Sequence, residues 1–331
     1  HQGGMFVREK VIKAILDSGE NFMSGEQLSK KLGISRTAVW KHINALREEG
    51  YNIESVNKKG YRLAEKPDDI LSSENIAYNL PTEFIGKKVI HLDTVGSTND
   101  YAKEIGNKVS GGTLIISEQQ TKGKGRLGRV WKSKSGDGIW MSLIIKPKIE
   151  PYKAPFLTLV AGASVVKALS NLDVEASIKW PNDIIVHNKK ICGILTELSA
   201  EMERVNYVVI GIGINIKTID FPDEIKEKAT SLYKEGYKLS RVDIVRQFCI
   251  EFEKLYKGYI LDGNKQDTLE LCRKYSAIIG KQVYVIKNNK RELVKCIDIN
   301  ENGNLIVKEK NGEIQEIMSG EVSIRGVKGY V

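Results

Sequence analysis

The sequence predicts an α+β chain of several domains, and three observations predict it. The first sixty residues carry helical periodicity followed by a short basic hairpin pattern. From about residue 84 to 275, apolar strand runs mix with helical stretches. The last fifty residues hold only short strand runs separated by Asn-Gly turns. The 331 residues are enough for two or three domains with a sizeable core.

Residues 5–66 read as a winged helix-turn-helix. Val7, Val11 and Ile15, with Ile12 and Leu16, recur at helical spacing. Ser24-Gly-Glu-Gln27 is a capping box for a short helix with Leu28 and Leu32 inward, closed by Gly33. Ser35 caps a second helix that runs to Glu49 and stops at Gly50. Val39, Ile43 and Leu46 form its inner face; Arg36, Thr37, Trp40, Lys41 and Asn44 face outward. Tyr51–Val56 and Gly60–Leu63 follow as two strands around Asn57-Lys58-Lys59, a wing with a basic tip. Between Ser24 and Leu63 there are eight Lys/Arg and four Asp/Glu, the balance of a module that meets phosphates. Ser35, Arg36, Thr37, Trp40, Lys41, Asn44, Lys58 and Lys59 are the candidate DNA contacts. Lys66-Pro-Asp-Asp-Ile70 opens a linker with a connecting helix, residues 67–83.

The domain 84–278 begins with a strand at Val89–Leu92, and Ser97-Thr98-Asn99 caps the helix after it. Thr113–Ser117 and Ile139–Ile145 are strands entering and leaving a glycine loop, and Leu157–Leu169 is a helix rich in small residues. Ile178–Val186 reads as one strand interrupted by Trp180-Pro-Asn-Asp183, because proline cannot donate to a ladder. A turn at Asn188-Lys189 leads into Lys190–Glu197, and Val208–Asn215 is an apolar strand. Gly211-Ile-Gly213 lacks the third glycine and the downstream acid of a dinucleotide fingerprint; glycines there allow close approach instead. Residues 279–331 carry the runs Val283–Ile286, Lys295–Asp298, Leu305–Val307 and Ile314–Ile317, with turns at Asn302-Gly303 and Asn311-Gly312.

The glycine loop carries the most chemistry. From Gln119 to Lys134 there are six Lys/Arg and no acid, with Gly123, Gly125 and Gly128 between the cations. Glycine frees backbone N–H groups to turn toward a ligand and the cations supply charge, so the loop suits an anion. The formal net charge of +9 also favours polyanionic partners. Cys192, Cys249, Cys272 and Cys296 are scattered without a Cys-x-x-Cys pair, so buried thiols in a reducing cytoplasm are expected and no side-chain metal cluster is. No run of 18 apolar residues occurs, so no membrane partner is expected. His1-Gln-Gly-Gly4 looks like a tag remnant ahead of Met5 and carries no fold expectation.

Gly96-Ser-Thr-Asn99, Gln120–Trp131, Lys179-Trp-Pro-Asn-Asp183, Lys190–Glu197 and Gly211-Ile-Gly-Ile-Asn215, in that order, resemble the biotin–protein ligases. With the winged helix ahead of them, the resemblance is to the bifunctional ligases that also repress the biotin operon. It covers nearly all of residues 5–331. It implies a central domain similar to class II synthetase folds and an SH3-like β-barrel at the C-terminal end. The implied reaction joins biotin to ATP as biotinyl-5′-AMP, with Mg²⁺ near Asp183, then passes biotin to a lysine of the biotin carboxyl carrier protein of acetyl-CoA carboxylase. The adenylate is also the implied corepressor, promoting a homodimer that binds operator DNA of biotin genes.

The resemblance implies roles for particular residues. Lys190, Arg126 and Asp183 are the candidate catalytic groups. Ser97, Thr98, Asn99, Gln120, Gly123, Lys124 and Gly125, with Arg126 and Lys190, match biotin-side positions. Lys124 stands where many members have arginine, keeping the charge and losing the fork. Arg126, Arg129, Trp131, Asn182, Asp183, Lys190 and Asn215 match the adenylate side, and Trp131 and Trp140 are expected to wall the pocket, with ordinary core packing as the alternative. No residue is assigned within the adenine-side loop 217–240. A lipoate-type ligase shares the fold and chemistry, and a ligand-sensing transcription factor without ligase activity shares the domains; the winged helix with Lys-Trp-Pro-Asn-Asp favours biotin over the first, and the placement of Arg126 and Lys190 speaks against the second.

Overall fold

The computed structural model describes residues 2–64, 69–287, 290–319, 323–327 and 329–331, with side chains from Val7 onward. Lys66, Pro67 and Asp68 of the expected linker lie outside the described residues. The chain divides into two compact units, His1–Asn79 and Leu80–Val331.

In the first unit, α1 spans Gln2–Asp17, α2 Gly25–Leu32 and α3 Arg36–Glu48. α1 therefore begins ahead of Met5: residues 2–4, set apart in the sequence as a tag remnant, continue its helical turn. The capping box at Ser24 and Gln27 closes as its sequence dictates, and Gly33 takes the left-handed conformation (φ 66°) that ends α2. Strands β1 (Ile53–Val56) and β2 (Gly60–Leu63) pair antiparallel, Ile53 opposite Leu63 and Val56 opposite Gly60. Lys58, at φ 63°, turns the wing tip. α4 spans Ser73–Ala77. Val11, Ile15, Leu28, Val39, Ile43 and Leu46 form one buried cluster, each side chain contributing on the order of 2 kcal/mol by burial.

The second unit is built on a seven-stranded sheet. Its elements are β3 (Val89–Val95), α5 (Thr98–Ile105), β4 (Thr113–Gln120), β5 (Gly138–Ile145), α6 (Phe156–Ser170), β6 (Ser177–Lys179), β7 (Asp183–Val186), β8 (Lys189–Glu201), β9 (Arg204–Asn215), α7 (Arg241–Asp262) and α8 (Gln266–Lys274). The strand order is β3-β4-β5-β9-β8-β7-β6, with β3–β4 parallel and the other pairs antiparallel. One expectation is corrected here: residues 178–186 are not one interrupted strand but two. β6 and β7 form a hairpin with Lys179 opposite Asp183, and Trp180-Pro-Asn182 makes its turn, where proline needs no ladder partner. Alternation along β9 separates its faces. Val209 joins Ala102 and Ile144 in a cluster under α5. On the other face, Ile212 pairs with Ile194, which meets α6 at Gly162.

Pro151–Ser170 reaches a mean hydropathy of 1.2 over a length that suits a membrane span, yet 72% of that window is buried. α6 is the core helix between the sheet, α7 and α8, and the protein interior covers the apolar surface that lipid would otherwise cover. Ser240 caps α7, and Gly263 (φ 65°) ends it.

The C-terminal strands β10 (Gln282–Lys287), β11 (Lys290–Ile299), β12 (Leu305–Lys308), β13 (Ile314–Ile317) and β14 (Ser323–Gly326) form a five-stranded antiparallel sheet, order β13-β12-β11-β10-β14. Gly303 (φ 82°) and Gly312 (φ 92°) occupy its Asn-Gly turns, and β14, absent from the sequence pattern, closes an edge. This sheet belongs to the same compact unit as the seven-stranded one.

Candidate active site

The end of β4, the glycine loop, the β6–β7 hairpin and the starts of β8 and α5 meet at two adjoining cavities. The larger, about 390 Å³, is lined by Arg126, Arg129, Trp131, Lys179, Asn182, Asp183, Lys190 and Asn215. The smaller, about 40 Å³, is lined by Ser97, Thr98, Asn99, Gln120, Lys124, Gly125, Arg126, Trp131, Lys190 and three strand glycines, Gly193, Gly211 and Gly213. The first is the size of a nucleotide-class pocket; the second holds one or two waters, because the glycine loop is folded down over it. Lys124 Nζ sits 2.6 Å from Asp100 Oδ2, tying that loop to α5. Its outer side chains Leu127 and Val130 are 70% and 82% exposed, so they pack little against the rest of the protein.

The small pocket is floored by glycines because its walls approach so closely. A Cβ on Gly211 would stand 2.2 Å from Asn99 Oδ1, and one on Gly213 2.7 Å from Trp131 Nε1. Gly193 and Gly213 face each other across β8 and β9. The polar groups are already oriented. Gln120 Oε1 accepts from Thr98 N–H (2.9 Å) and from its hydroxyl (3.1 Å), while Gln120 Nε2 donates to Ser133 Oγ (2.8 Å). Asn99 Nδ2 donates to Glu197 Oε2 (2.8 Å), and Lys103 Nζ holds the other oxygen of Glu197 (2.7 Å). Ser142 Oγ, 2.8 Å from Thr98 Oγ1 and 2.6 Å from Asn99 Oδ1, completes the set. Trp131 Nε1–H is buried without an acceptor among the described residues, at the wall between the two cavities, and a polar ligand atom would satisfy it.

In the larger cavity three segments supply the charges. Arg126 donates to Asn182 Oδ1 (2.8 Å) and to the Ser319 carbonyl (2.8 Å). Asn182 in turn is fixed on β8 by its Nδ2 donating to the Ile194 carbonyl (2.9 Å). Lys190 Nζ lies 2.6 Å from Asp183 Oδ1 and 5.1 Å from the centre of the Trp131 ring. Burial by itself would raise the Asp183 carboxyl, but the charge and close approach of Lys190, the hydrogen bond from Tyr330 and the charge of Lys179 outweigh it and hold the group below the usual carboxylate range. Burial pulls Lys179 down to about 7, with the Asp183 charge opposing. Arg126 is lowered mainly by burial and remains a cation. Cations thus outnumber acids around a space open to one ligand, the condition for stabilising charge that develops between two anions.

Most expected residues converge; two, Gly123 and Trp140, do not. Gly123 lines neither cavity. A Cβ there would stand 2.4 Å from the Trp131 carbonyl, so it is the glycine that lets the two limbs of the loop touch. Trp140 is 1% exposed with its Nε1 donating to the Lys134 carbonyl, a core residue rather than a pocket wall. Ser97, buried, does line the smaller cavity, and its hydroxyl also caps α5. The adenine-side loop, unassigned from sequence, contributes Thr218, Asp220, Phe221, Pro222, Ile225 and Ala229 to the larger cavity. It docks by two backbone bonds, Lys190 N–H to the Lys228 carbonyl and Thr230 N–H to the Lys190 carbonyl, and by one side-chain bond, Asn215 Nδ2 to the Thr230 carbonyl. The Phe221-Pro222 and Ile225 apolar steps were the signal that could have marked it.

In the first unit a separate groove is lined by Arg36, Thr37 and Trp40 of α3, by Ser24–Glu26, and by Ser55–Lys58, Gly60 and Tyr61 of the wing. Trp40 is 53% exposed, an open aromatic on a polar face. Lys41, Asn44 and Lys59 lie outside its lining, and the Ser35 hydroxyl accepts from Ala38 N–H as a helix cap.

The sequence comparisons agree with this layout. The family model for the Biotin/lipoate A/B protein ligase family matches residues 92–215, that of an HTH domain 7–62, and that of the Biotin protein ligase C terminal domain 278–325. The bifunctional ligase/repressor BirA of Bacillus spizizenii is 42% identical over 96% of this chain and 98% of its own length, and that of Escherichia coli 31% identical over 95% and 96%. Among solved structures, the biotin protein ligase from Aquifex aeolicus in complex with biotin and ATP is 32% identical, with a TM-score of 0.64 over 72% of this chain and 99% of that one. Similarity of that degree, along almost the whole length and through all three matched regions, leaves one assignment: the chain belongs to the biotin protein ligase family, among its bifunctional ligase/repressors.

Proposed function

We propose that this chain forms biotinyl-5′-AMP from biotin and ATP, releasing pyrophosphate, and transfers biotin to a lysine of the biotin carboxyl carrier protein of acetyl-CoA carboxylase. With the adenylate bound it pairs with a second copy and represses biotin genes at their operator. The observation that carries the reading is the convergence of Arg126, Asn182, Asp183 and Lys190, from three separated segments, on a cavity that adjoins the polar pocket of Thr98, Asn99 and Gln120. A carboxylate oxygen attacks the α-phosphorus in the first step, so two anions must meet. Lys190 and Arg126 offset that repulsion, and Arg129 extends the positive rim. The neutral amides and hydroxyls of Thr98, Asn99 and Gln120 suit a ureido ring, which both donates and accepts. Phe221 and Ile225 offer an apolar bed beside Asn215 for adenine.

Mg²⁺ would arrive on the phosphates of ATP. In this arrangement Lys190 Nζ pairs with one carboxylate oxygen of Asp183 and the Tyr330 hydroxyl with the other, so Asp183 would bond the hard cation directly only where Lys190 has moved off Oδ1. The four cysteines are buried and free, and burial raises the thiols of all four, which suits a reducing cytoplasm.

The deciding experiment supplies labelled biotin, ATP and a carrier domain. Label is expected on the carrier, with pyrophosphate release that depends on biotin; release without biotin, or equal use of lipoate, would sink the substrate assignment. A variant tests the small pocket. Gly211→Ala is expected to weaken biotin binding about tenfold or more, because the added methyl overpacks a site whose Asn99 is pinned on both ends. Calorimetric titration with biotin reads it, and parental affinity in the variant would remove Gly211 from the pocket.

The winged helix has its own test. Arg36→Ala with Lys58→Ala is expected to weaken operator binding and flatten its salt dependence by about one unit of slope per lost phosphate contact. Titrations at two salt concentrations measure it, while sedimentation with and without biotinyl-5′-AMP measures the pairing. Equal dimerisation in both states would leave a ligase whose DNA-binding unit is not governed by the adenylate.

A further inference from the structure

The C-terminal sheet reaches into the cation-rich cavity with a side chain that nothing in the motif set marks. β14 pairs with β10, Gly326 opposite Val283, and the chain then turns back on itself. Gly326 N–H points at the Tyr330 carbonyl (3.4 Å), and a Cβ on Gly326 would stand 2.3 Å from the Val331 carbonyl carbon, so only glycine permits the return. Tyr330 is thereby set against the β6–β7 hairpin by three groups at once. Its hydroxyl donates to Asp183 Oδ2. Its carbonyl accepts from Lys179 Nζ (2.6 Å), and its ring centre lies 3.3 Å from the same nitrogen. Burial and the Asp183 charge push the phenol well above its ordinary range, so it stays a donor.

Asp183 is therefore met at both oxygens, Oδ1 by the Lys190 ammonium as an ion pair not aligned as a hydrogen bond and Oδ2 by the Tyr330 hydroxyl as a hydrogen bond, with its side chain 14% exposed. The two holds are unequal under the function proposed above. Lys190 has another demand on it, since its ammonium is also needed by the carboxylate and phosphate of the adenylate. When it turns to them, Oδ1 is released into the cavity and only Tyr330 still fixes the carboxylate.

We infer, resting on that reading, that Tyr330 is a positioning residue for the transfer step: it keeps the Asp183 carboxylate fixed while Lys190 is engaged, so that Oδ1 faces the incoming amine. The amine nitrogen forms the amide bond to the biotinyl carbon, the acyl–phosphate bond breaks, AMP leaves with the electron pair, and the amine proton passes to Oδ1. A carboxylate left without its donor in a closed site would turn to find another partner, and the amine would meet it in the wrong orientation.

Tyr330→Phe removes the hydroxyl and keeps the ring and the carbonyl that hold Lys179. In the full-length protein with a carrier domain, single-turnover transfer from preformed biotinyl-5′-AMP is expected to slow about tenfold relative to adenylate formation, the size of effect of losing a hydrogen bond to a charged group. The loss should fall on kcat for the carrier and not on its KM. In an Asp183→Asn background the same substitution should cost little more, since the two side chains act as one unit. Both half-reactions slowing equally, additive losses in the double variant, a change confined to KM, or faster transfer in Tyr330→Phe would each overturn the inference. A parent protein that forms no biotinyl-5′-AMP would instead overturn the functional reading on which it rests.

Discussion

Lys190→Ala is expected to lower the rate of biotinyl-5′-AMP formation on the order of 10²-fold or more, the scale of losing a cation that meets developing charge. Two consequences follow from one ammonium. The variant loses the positive group between the biotin carboxylate and the α-phosphate, and it strips Asp183 Oδ1 of its 2.6 Å partner in a largely buried place. The second effect is a stability effect. The Asp183 carboxyl, held below its usual range chiefly by Lys190 against burial, should rise toward and above it in the variant. In the parent, a carboxyl held low contributes stability that is present above its unfolded pKa and is lost as pH falls through the folded one. The variant should lose most of that contribution even at neutral pH. Pyrophosphate release in rapid-quench measurements reads the catalytic loss, and thermal melting across pH 4 to 8 separates it from instability. Near-normal adenylation in a folded Lys190→Ala protein would leave Lys190 as a lysine at the start of β8 with no part in the chemistry.

Arg126→Gly is expected to leave the adenylate formed but poorly kept, with dissociation faster by about 10- to 100-fold, the scale of losing a charge-assisted, forked contact. The guanidinium bridges two segments: one arm meets Asn182 of the β6–β7 turn and another the Ser319 carbonyl, just past the end of β13. Its loss takes both anchors from a loop whose outer residues Leu127 and Val130 are already exposed. Stopped-flow dissociation of biotinyl-5′-AMP measures the change directly, and labelling of bystander proteins with biotin measures its outcome. Dissociation at the parental rate would place adenylate retention elsewhere, with Lys190 and the adenine-side loop the next groups to test.

The sequence by itself determined everything here that depends on near neighbours. Capping at Ser24, Ser35 and Ser97, the left-handed Gly33 and the wing hairpin are settled by residues three or four apart, and so are the Asn-Gly turns of the C-terminal sheet. Side-chain period two on β9 already separates glycines from isoleucines, and so sets the face that a ligand can approach. Tertiary structure alone decided what depends on distant segments meeting. Whether Trp140 walls a pocket or fills the core is decided by where its indole packs, against Gly138 with Nε1 donating to the Lys134 carbonyl, which no local pattern encodes. That Trp180-Pro-Asn182 turns a hairpin rather than breaking a strand follows from Lys179 finding Asp183 as its partner. The adenine-side loop takes its place largely from backbone hydrogen bonds, Lys190 N–H to the Lys228 carbonyl, Thr230 N–H to the Lys190 carbonyl and Leu232 N–H to the Asn215 carbonyl, which are indifferent to side-chain identity and leave no motif. Arg126 to Ser319 and Tyr330 to Asp183 join residues 193 and 147 positions apart. Closing loops of that length costs entropy that only a finished core repays, so such contacts are written in the packing of the whole unit and not in any window of its sequence.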